Sequence, residues 1–225
     1  MKTVLKFLTG SHSYNLASKD SDVDTLTVFL LEPDEMFGLN RTKVASQKLF
    51  ENNDDSAVEF TEYLRRLVAG NPSYVQTLFS WPENLVEFCF DFDKTVLRER
   101  LLSCLVTENV HRSFTGVATR MFKEYEQRGK NKSLSEAFRY LYVLDNLLRF
   151  DTANVFLTGG SKEHFFDLRE NGFDAVLAKL AFQNNLVACD KLLDDSTFGF
   201  EQEHALFVAD KLSRVVYKGF YKLVL

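Results

Sequence analysis

The stretch GSHSYNLASKDSDVDTLTVFLL, residues 10–31, constrains the fold more than any other part of the chain. It holds a Gly-Ser pair, ten further residues and then two aspartates one residue apart. Those acids open a β-branched and aromatic run, residues 23–31, that Glu32-Pro33 closes. Such a run reads as a strand. Residues 3–8 form a second one and end near Gly10. Between them, residues 12–17 suit a short helical turn opened by Ser11, and residues 18–21 suit a polar loop. The expected order is strand, turn, short helix, strand.

Asp22 and Asp24 stand at i and i+2 where a strand begins, so both side chains project to one face. The strand rise puts their Cα atoms roughly 6 to 7 Å apart. Two carboxylates so close repel each other, and a hard dication relieves that repulsion. A cation held there can in turn hold a phosphate chain. Gly10 permits a tight turn and a close backbone approach. The amides that follow it, with the Ser11 hydroxyl, can cradle a terminal phosphate. His12 beside Ser11 is either a phosphate contact or a plain loop residue. Tyr14 either stacks on a base or packs under the turn.

Composition limits the alternatives. Among 225 residues there are 22 phenylalanines, 3 prolines and 10 glycines, which favours a bulky core over linkers. Cys89, Cys104 and Cys189 are odd in number and widely spaced, which predicts reduced core thiols and a cytoplasmic protein. No apolar run reaches about 18 residues, so no membrane partner is expected. Lys6 interrupts the N-terminal apolar run, which argues against a signal peptide. The net charge is −5, but it is unevenly spread. Residues 1–62 carry 6 Lys/Arg against 11 Asp/Glu, and residues 112–139 carry 7 against 3. A metal site beside a phosphate site needs such a division, although solvated helix faces also produce one.

Further along, residues 43–51 read as a weaker strand and residues 51–56 as a turn. Val58, Phe60, Leu64, Leu67 and Val68 suit a helix that stops at Gly70. Asn71-Pro72 restarts a helix, with Asn as the cap and Pro at its first position. Ser80-Trp81-Pro82 breaks the chain again. Residues 94–127, 133–150, 173–193 and 201–224 read as helices, with 154–157 a short strand or an extended crossing. The expected fold class is therefore α+β: a small mixed sheet with flanking helices over residues 1–82, then a mostly helical region over 83–225.

The segment GSHSYNLASKDSDVDTLTVFL closely resembles the nucleotidyltransferase motif of the DNA polymerase β-type superfamily. More narrowly, it resembles RNA-repair polymerase-β-like proteins of bacteria and viruses. NDDSAVEFTEYLRRLVAGNPSYVQTLFS, residues 53–80, is similar to that branch's middle segment. The resemblance implies transfer of a nucleoside monophosphate from a nucleoside triphosphate such as ATP to an acceptor hydroxyl, with two Mg²⁺ or Mn²⁺ ions. The acceptor is an RNA end, a protein or a small molecule. It implies a third carboxylate, which falls on Asp54, with Asp55 as the near alternative and Glu59 at another acidic position of the motif. Asp22, Asp24 and Asp54 are then the metal-binding and catalytic set. Gly10, Ser11, Lys132 and Arg139 are the nucleotide-binding set.

The family carries Lys, His and Arg at i, i+4 and i+7 on one helix. Here those places are Lys132, Glu136 and Arg139, so the histidine is replaced. Gln76 stands where the family has Glu, and Asn15 where it favours Gly. These departures keep a second expectation open: a nucleotide-binding or interaction protein of the same fold that lost catalysis, with membership of a defence pair as a further alternative. Oligomeric state and base preference are not legible.

Overall fold

The structure, a computed structural model, describes residues 1–19, 21–32, 35, 55–91, 93–153 and 155–221, with Asp55 and Glu35 included. Strand β1 (Lys2–Leu8) and strand β2 (Thr25–Leu30) lie where the sequence pattern puts them, joined through the short helix α1 (Gly10–Ser13). They pair antiparallel, with Lys2 opposite Leu30 and Leu8 opposite Thr25. Strand β3 (Asp55–Glu59) pairs parallel with β2, from Thr25↔Asp55 to Phe29↔Glu59. Strand β4 (Leu85–Phe88) pairs antiparallel with β1 and completes a mixed sheet of order β3-β2-β1-β4. Every residue of β2 is buried, as befits an interior strand covered on both faces.

Two strands differ from the sequence expectation. Residues 55–59 were expected as a turn running into a helix, and they form β3, with Val58 in the strand. The parallel partner β2 supplies backbone hydrogen bonds that local propensity does not reveal. Strand β4 lies beyond Pro82, so the sheet draws on chain past that break. The expected strand at 43–51 falls outside the described residues.

Helix α2 (Phe60–Val68) follows β3 directly, and Phe60, Tyr63, Leu64, Leu67 and Val68 form its buried stripe. Glu59 caps it, accepting from the amides of Thr61 (2.7 Å) and Glu62 (3.1 Å). The same carboxylate accepts from the Tyr217 hydroxyl at 2.6 Å, and Glu59 is 2% exposed. Glu59 is thus neither a solvated helix residue nor near the Asp22–Asp24 end of the sheet. It lies opposite Phe29, at the other end of the β2–β3 ladder. Gly70 ends the helix at φ +69, where a Cβ would lie 2.4 Å from the backbone of Asn109. Asn71 and Pro72 then open helix α3 (Pro72–Phe79) as the sequence predicts, with Asn71 Oδ1 accepting from the Ser73 amide. A single turn, α4 (Trp81–Asn84), leads into β4.

The remainder is helical: α5 (Lys94–Leu102), α6 (Thr107–Arg128), α7 (Asn131–Phe150), α8 (Gly159–Asn171), α9 (Ala175–Asp195) and α10 (Gln202–Tyr221). The helix expected over 94–127 is two helices, broken between Ser103 and Val106. Helix α8 was not expected, because its Gly159-Gly160 start reads as a break and only Phe165 and Leu168 are buried. One hydrophobic cluster joins the sheet to these helices, with Phe7 against Tyr63 and Trp81, and Phe122 stacked on Phe182 at 4.2 Å. Each fully buried Phe contributes about 1.5–3 kcal/mol. Cys104 and Cys189 are buried, and burial pushes both thiols up to about 12. Cys89 departs from the core-thiol expectation and is exposed. Among the described residues, no helix is long and apolar enough to cross a membrane.

Glu59 therefore ties the sheet, α2 and α10 together. Glu59→Ala should lower the unfolding free energy by about 2–4 kcal/mol in urea titration, from a lost cap and a stranded Tyr217 hydroxyl. An unchanged midpoint would contradict this role.

Candidate active site

The site begins at the junction of β1 and β2. The Thr9 amide donates to the Asp24 carbonyl at 2.9 Å, which fixes the end of one strand against the start of the next. Gly10 follows at φ +62, a conformation that costs glycine little and other residues more. A Cβ built on Gly10 would lie 2.0 Å from Asp24 Oδ2. The Asp24 carboxylate therefore occupies the space that a side chain at position 10 would fill. This is the close approach that the Gly-Ser bend suggested.

The bend is held from within and from without. Ser13 Oγ donates to the Gly10 carbonyl at 2.8 Å, and the Leu16 amide donates to the Ser11 carbonyl at 2.9 Å. Asn15 adopts φ +61, so asparagine here takes the left-handed backbone that glycine would otherwise supply. Its Nδ2 donates to the Leu157 carbonyl, and Lys162 Nζ donates to its Oδ1 at 3.0 Å. Arg169 Nη1 donates to the Leu16 carbonyl at 3.0 Å. Helix α8 thus docks on the bend from about 150 residues away along the chain.

A cavity of about 380 Å³ opens over this bend. Asp22, Asp24, Gly10 and Ser11 line it on the sheet side. Lys132 and Glu136 line it from α7, and Arg169 from α8. The structure so brings together five of the residues expected from sequence: Gly10, Ser11, Asp22, Asp24 and Lys132. Tyr14 lines the cavity as well. His12 does not; its ring Nε2 lies 3.4 Å from the Ser21 carbonyl. Asp54 lies outside the described residues, and of Asp55 only the backbone is described. Among the described residues, no three His, Cys, Asp or Glu side chains gather as a metal cluster. Among the described residues that line the cavity, Asp22, Asp24, Glu136 and the hydroxyls of Ser11, Ser18 and Ser21 bear side-chain oxygens of the kind a hard cation takes. Such oxygen donors suit Mg²⁺ or Mn²⁺.

Arg139 is placed differently from the expectation of a bidentate phosphate ligand. It is 0% exposed and does not line the cavity. Its Nη2 donates to Glu136 Oε2 at 2.6 Å, and its Nη1 to Gln76 Oε1 at 2.8 Å. Its guanidinium carbon sits 3.4 Å from the centre of the Tyr14 ring, and Tyr140 flanks it at 4.7 Å. Burial works against its charge, yet Glu136, Tyr14 and Tyr140 together outweigh that and keep the guanidinium protonated. Burial also raises the Tyr14 phenol well above its ordinary range, against the pull of Arg139. Tyr14 is thus packed under the turn, on a buried cation.

Two of the three departures from the family pattern meet at this one residue. Where the resemblance implies Glu at position 76 and His at 136, the chain has Gln76 and Glu136, both bonded to Arg139. In this chain the carboxylate partner of the buried cation stands at position 136 and an amide at position 76. Arg169 was missed by sequence reasoning, since nothing in the sequence ties position 169 to residues 10–16.

Glu136→Gln should destabilise the fold by about 3 kcal/mol, because it leaves a buried guanidinium without a counter-charge. Adding Gln76→Glu to that variant should recover at least about 1 kcal/mol in urea unfolding, since a carboxylate there faces Nη1. A double variant no more stable than Glu136→Gln would contradict the pairing.

Residues 1–154 match the RNA repair pathway DNA polymerase beta family. Among solved structures, spectinomycin adenyltransferase AAD(9) from Enterococcus faecialis, crystallised with ATP and spectinomycin, is similar in outline. It is 12% identical, covers 94% of this chain and 92% of its own, and superposes with a TM-score of 0.39. Among curated proteins, none matches. The chain, a four-stranded mixed sheet with a helical C-terminal part, belongs to the RNA repair pathway DNA polymerase beta family.

Proposed function

We propose that the protein is a metal-dependent nucleotidyltransferase that attaches a nucleoside monophosphate to the hydroxyl of an RNA end. The observation that carries this reading is the Asp24 carboxylate seated over Gly10, with Asp22 and Ser11 in the same cavity. Asp22 and Asp24 would hold the divalent ions, with Asp54 as the third carboxylate. When bound, those ions neutralise the triphosphate and polarise its α-phosphate. The chain needs that help. Glu136 is spent on Arg139, so Asp22 and Asp24 balance Lys132 and Arg169, and little positive charge is left for a triphosphate.

The chain's own groups then divide the work. The Gly10–Ser11 bend receives phosphate oxygens on its backbone and the Ser11 hydroxyl. Lys132 and Arg169 draw charge towards the leaving pyrophosphate. The acceptor oxygen attacks the α-phosphorus, the bond to the oxygen bridging to the β-phosphate breaks, and pyrophosphate leaves. Asp54 takes the acceptor's proton. Arg139 acts as a positioning residue: it fixes Tyr14 beneath the bend and keeps Glu136 at the cavity wall.

Two observations support an RNA end as the acceptor. The family is described by an RNA repair pathway. In addition, Arg112, Arg120 and Lys123 are exposed along α6. Such a row suits a phosphate backbone.

Transfer of label from α-³²P nucleoside triphosphates to an RNA oligonucleotide should require Mg²⁺ or Mn²⁺. Asp22→Asn and Asp24→Asn should each lower it by about 10²-fold or more, the kinetic equivalent of several kcal/mol of metal-derived stabilisation. Label that appears on RNA equally with both variants would reject the assignment. Label on the protein or on a small molecule instead of RNA would keep the chemistry and change the acceptor.

A further inference from the structure

Three consecutive residues at the foot of the Gly10–Ser11 bend are each bonded to one distant segment. The Leu157 amide donates to the Tyr14 carbonyl at 3.1 Å, and Asn15 Nδ2 donates to the Leu157 carbonyl at 2.9 Å. Lys162 Nζ donates to Asn15 Oδ1 at 3.0 Å, and Arg169 Nη1 donates to the Leu16 carbonyl at 3.0 Å. All of these distant partners lie beyond residue 154, where the family match ends. The proposed chemistry uses Arg169 but not Asn15, Leu157 or Lys162.

The distant segment has its own anchorage. Phe165 and Leu168 bury one side of α8. The Phe165 ring meets Tyr142 of α7 edge-on, with ring centres 5.5 Å apart. The buried Ser135 hydroxyl, also on α7, donates to the Phe165 carbonyl at 2.8 Å. Helix α7 is the element that carries Lys132 and Glu136 to the cavity. Lys162 and Arg169 are seven residues apart, about two turns, so they share the face of α8 that meets the bend. The bend is therefore tied to the same framework as Lys132.

Asn15 makes the tie. Its φ of +61 is a backbone that glycine takes at little cost and that few other residues take readily. Glycine here would keep the turn and lose both side-chain bonds. Asparagine keeps the turn and uses its whole amide, with the oxygen towards Lys162 and the nitrogen towards Leu157. An ammonium only donates and a carbonyl only accepts, so these two partners fix which way the amide points. Among the described residues, Asn15 is the one hydrogen-bond acceptor of Lys162.

We infer that Asn15 and Lys162 are positioning residues of the phosphate site: Lys162, acting through the Asn15 side chain, holds the Gly10–Ser11 bend in register with Lys132 and Arg169. The inference rests on the reading of the cavity as the triphosphate site. Neither Asn15 nor Lys162 lines that cavity, so neither is a phosphate ligand itself. Groups that bind phosphate lose much of their effect when they shift by a fraction of an ångström, which is why a tie behind the bend matters.

Calorimetric titration of the full chain with ATP and Mn²⁺, alongside urea unfolding, tests this. Lys162→Met keeps the aliphatic stem and removes the donor. It should weaken ATP binding about fivefold or more, well inside what a misplaced group can cost. Lys162→Arg, which can still donate to Asn15 Oδ1, should stay within about twofold of the wild type, the usual error of such comparisons. Asn15→Gly keeps the left-handed turn and should reproduce the loss. Adding Lys162→Met to Asn15→Gly should weaken binding no further, because the bond is already gone. Losses that multiply in the double variant would mean that Lys162 acts on the phosphates by its own charge, and would overturn the inference. A lowered urea midpoint with ATP affinity unchanged in Lys162→Met would also overturn it, since a brace with a purely structural role gives that result. The comparison of Lys162→Met with Lys162→Arg decides by itself if Asn15→Gly does not fold. Asp22→Asn separates the two readings. If ATP binding survives it, the cavity is not the triphosphate site and both readings fall. If it abolishes binding that Asn15→Gly and Lys162→Met leave intact, the positioning role alone falls.

Discussion

The site depends on one close approach, the Asp24 carboxylate in the space where a side chain at position 10 would be. That approach requires glycine twice over. The backbone is left-handed at φ +62, and the volume at the Cβ position is already taken. The hydrogen bond from Thr9 to the Asp24 carbonyl sets the two chain segments at this distance. Two strands of a sheet therefore deliver an acid and a bend to the same point, and the cavity forms above them.

A second layer stabilises the first. Arg139 is buried beneath Tyr14 and joined to Gln76 on one side and Glu136 on the other. A buried cation is costly unless it is paired and hydrogen-bonded; here Nη1 and Nη2 are bonded and Glu136 supplies the counter-charge, while Nε has no partner. Glu136 and Tyr14 belong to the cavity wall, and Arg139 holds both without lining it. Helix α8 adds the outer brace, with Lys162 donating to the Asn15 side chain and Arg169 to the Leu16 carbonyl.

What the sequence made legible follows from how local each signal is. The strands β1 and β2, the bend at Gly10 and the Asn71-Pro72 helix start are written in contiguous residues. They appear where the pattern puts them. Strand β3 did not read as a strand, because DSAVE is short and polar, and its pairing with β2 comes from residues 25–29. Strand β4 was hidden behind Trp81-Pro82, although the edge of β1 needed a partner. Glu59 looked like an acid of the site and is a helix cap, a role fixed by Tyr217 far along the chain. Arg139 looked like a phosphate ligand from its helical spacing with Lys132. Spacing gave the face of α7 but not the depth at which each residue sits, and Arg139 is buried where Lys132 is exposed. Arg169 had no local signal at all.

The central claim is that Asp22 and Asp24 gather divalent cations against the Gly10–Ser11 bend. Anomalous diffraction at the manganese edge, from crystals grown with Mn²⁺ and a non-hydrolysable nucleoside triphosphate, tests it directly. The account predicts manganese peaks within about 2.0–2.5 Å of Asp22 and Asp24 oxygens, with triphosphate oxygens completing the coordination and reaching the bend. Triphosphate and manganese bound elsewhere, with both carboxylates unligated, would contradict it.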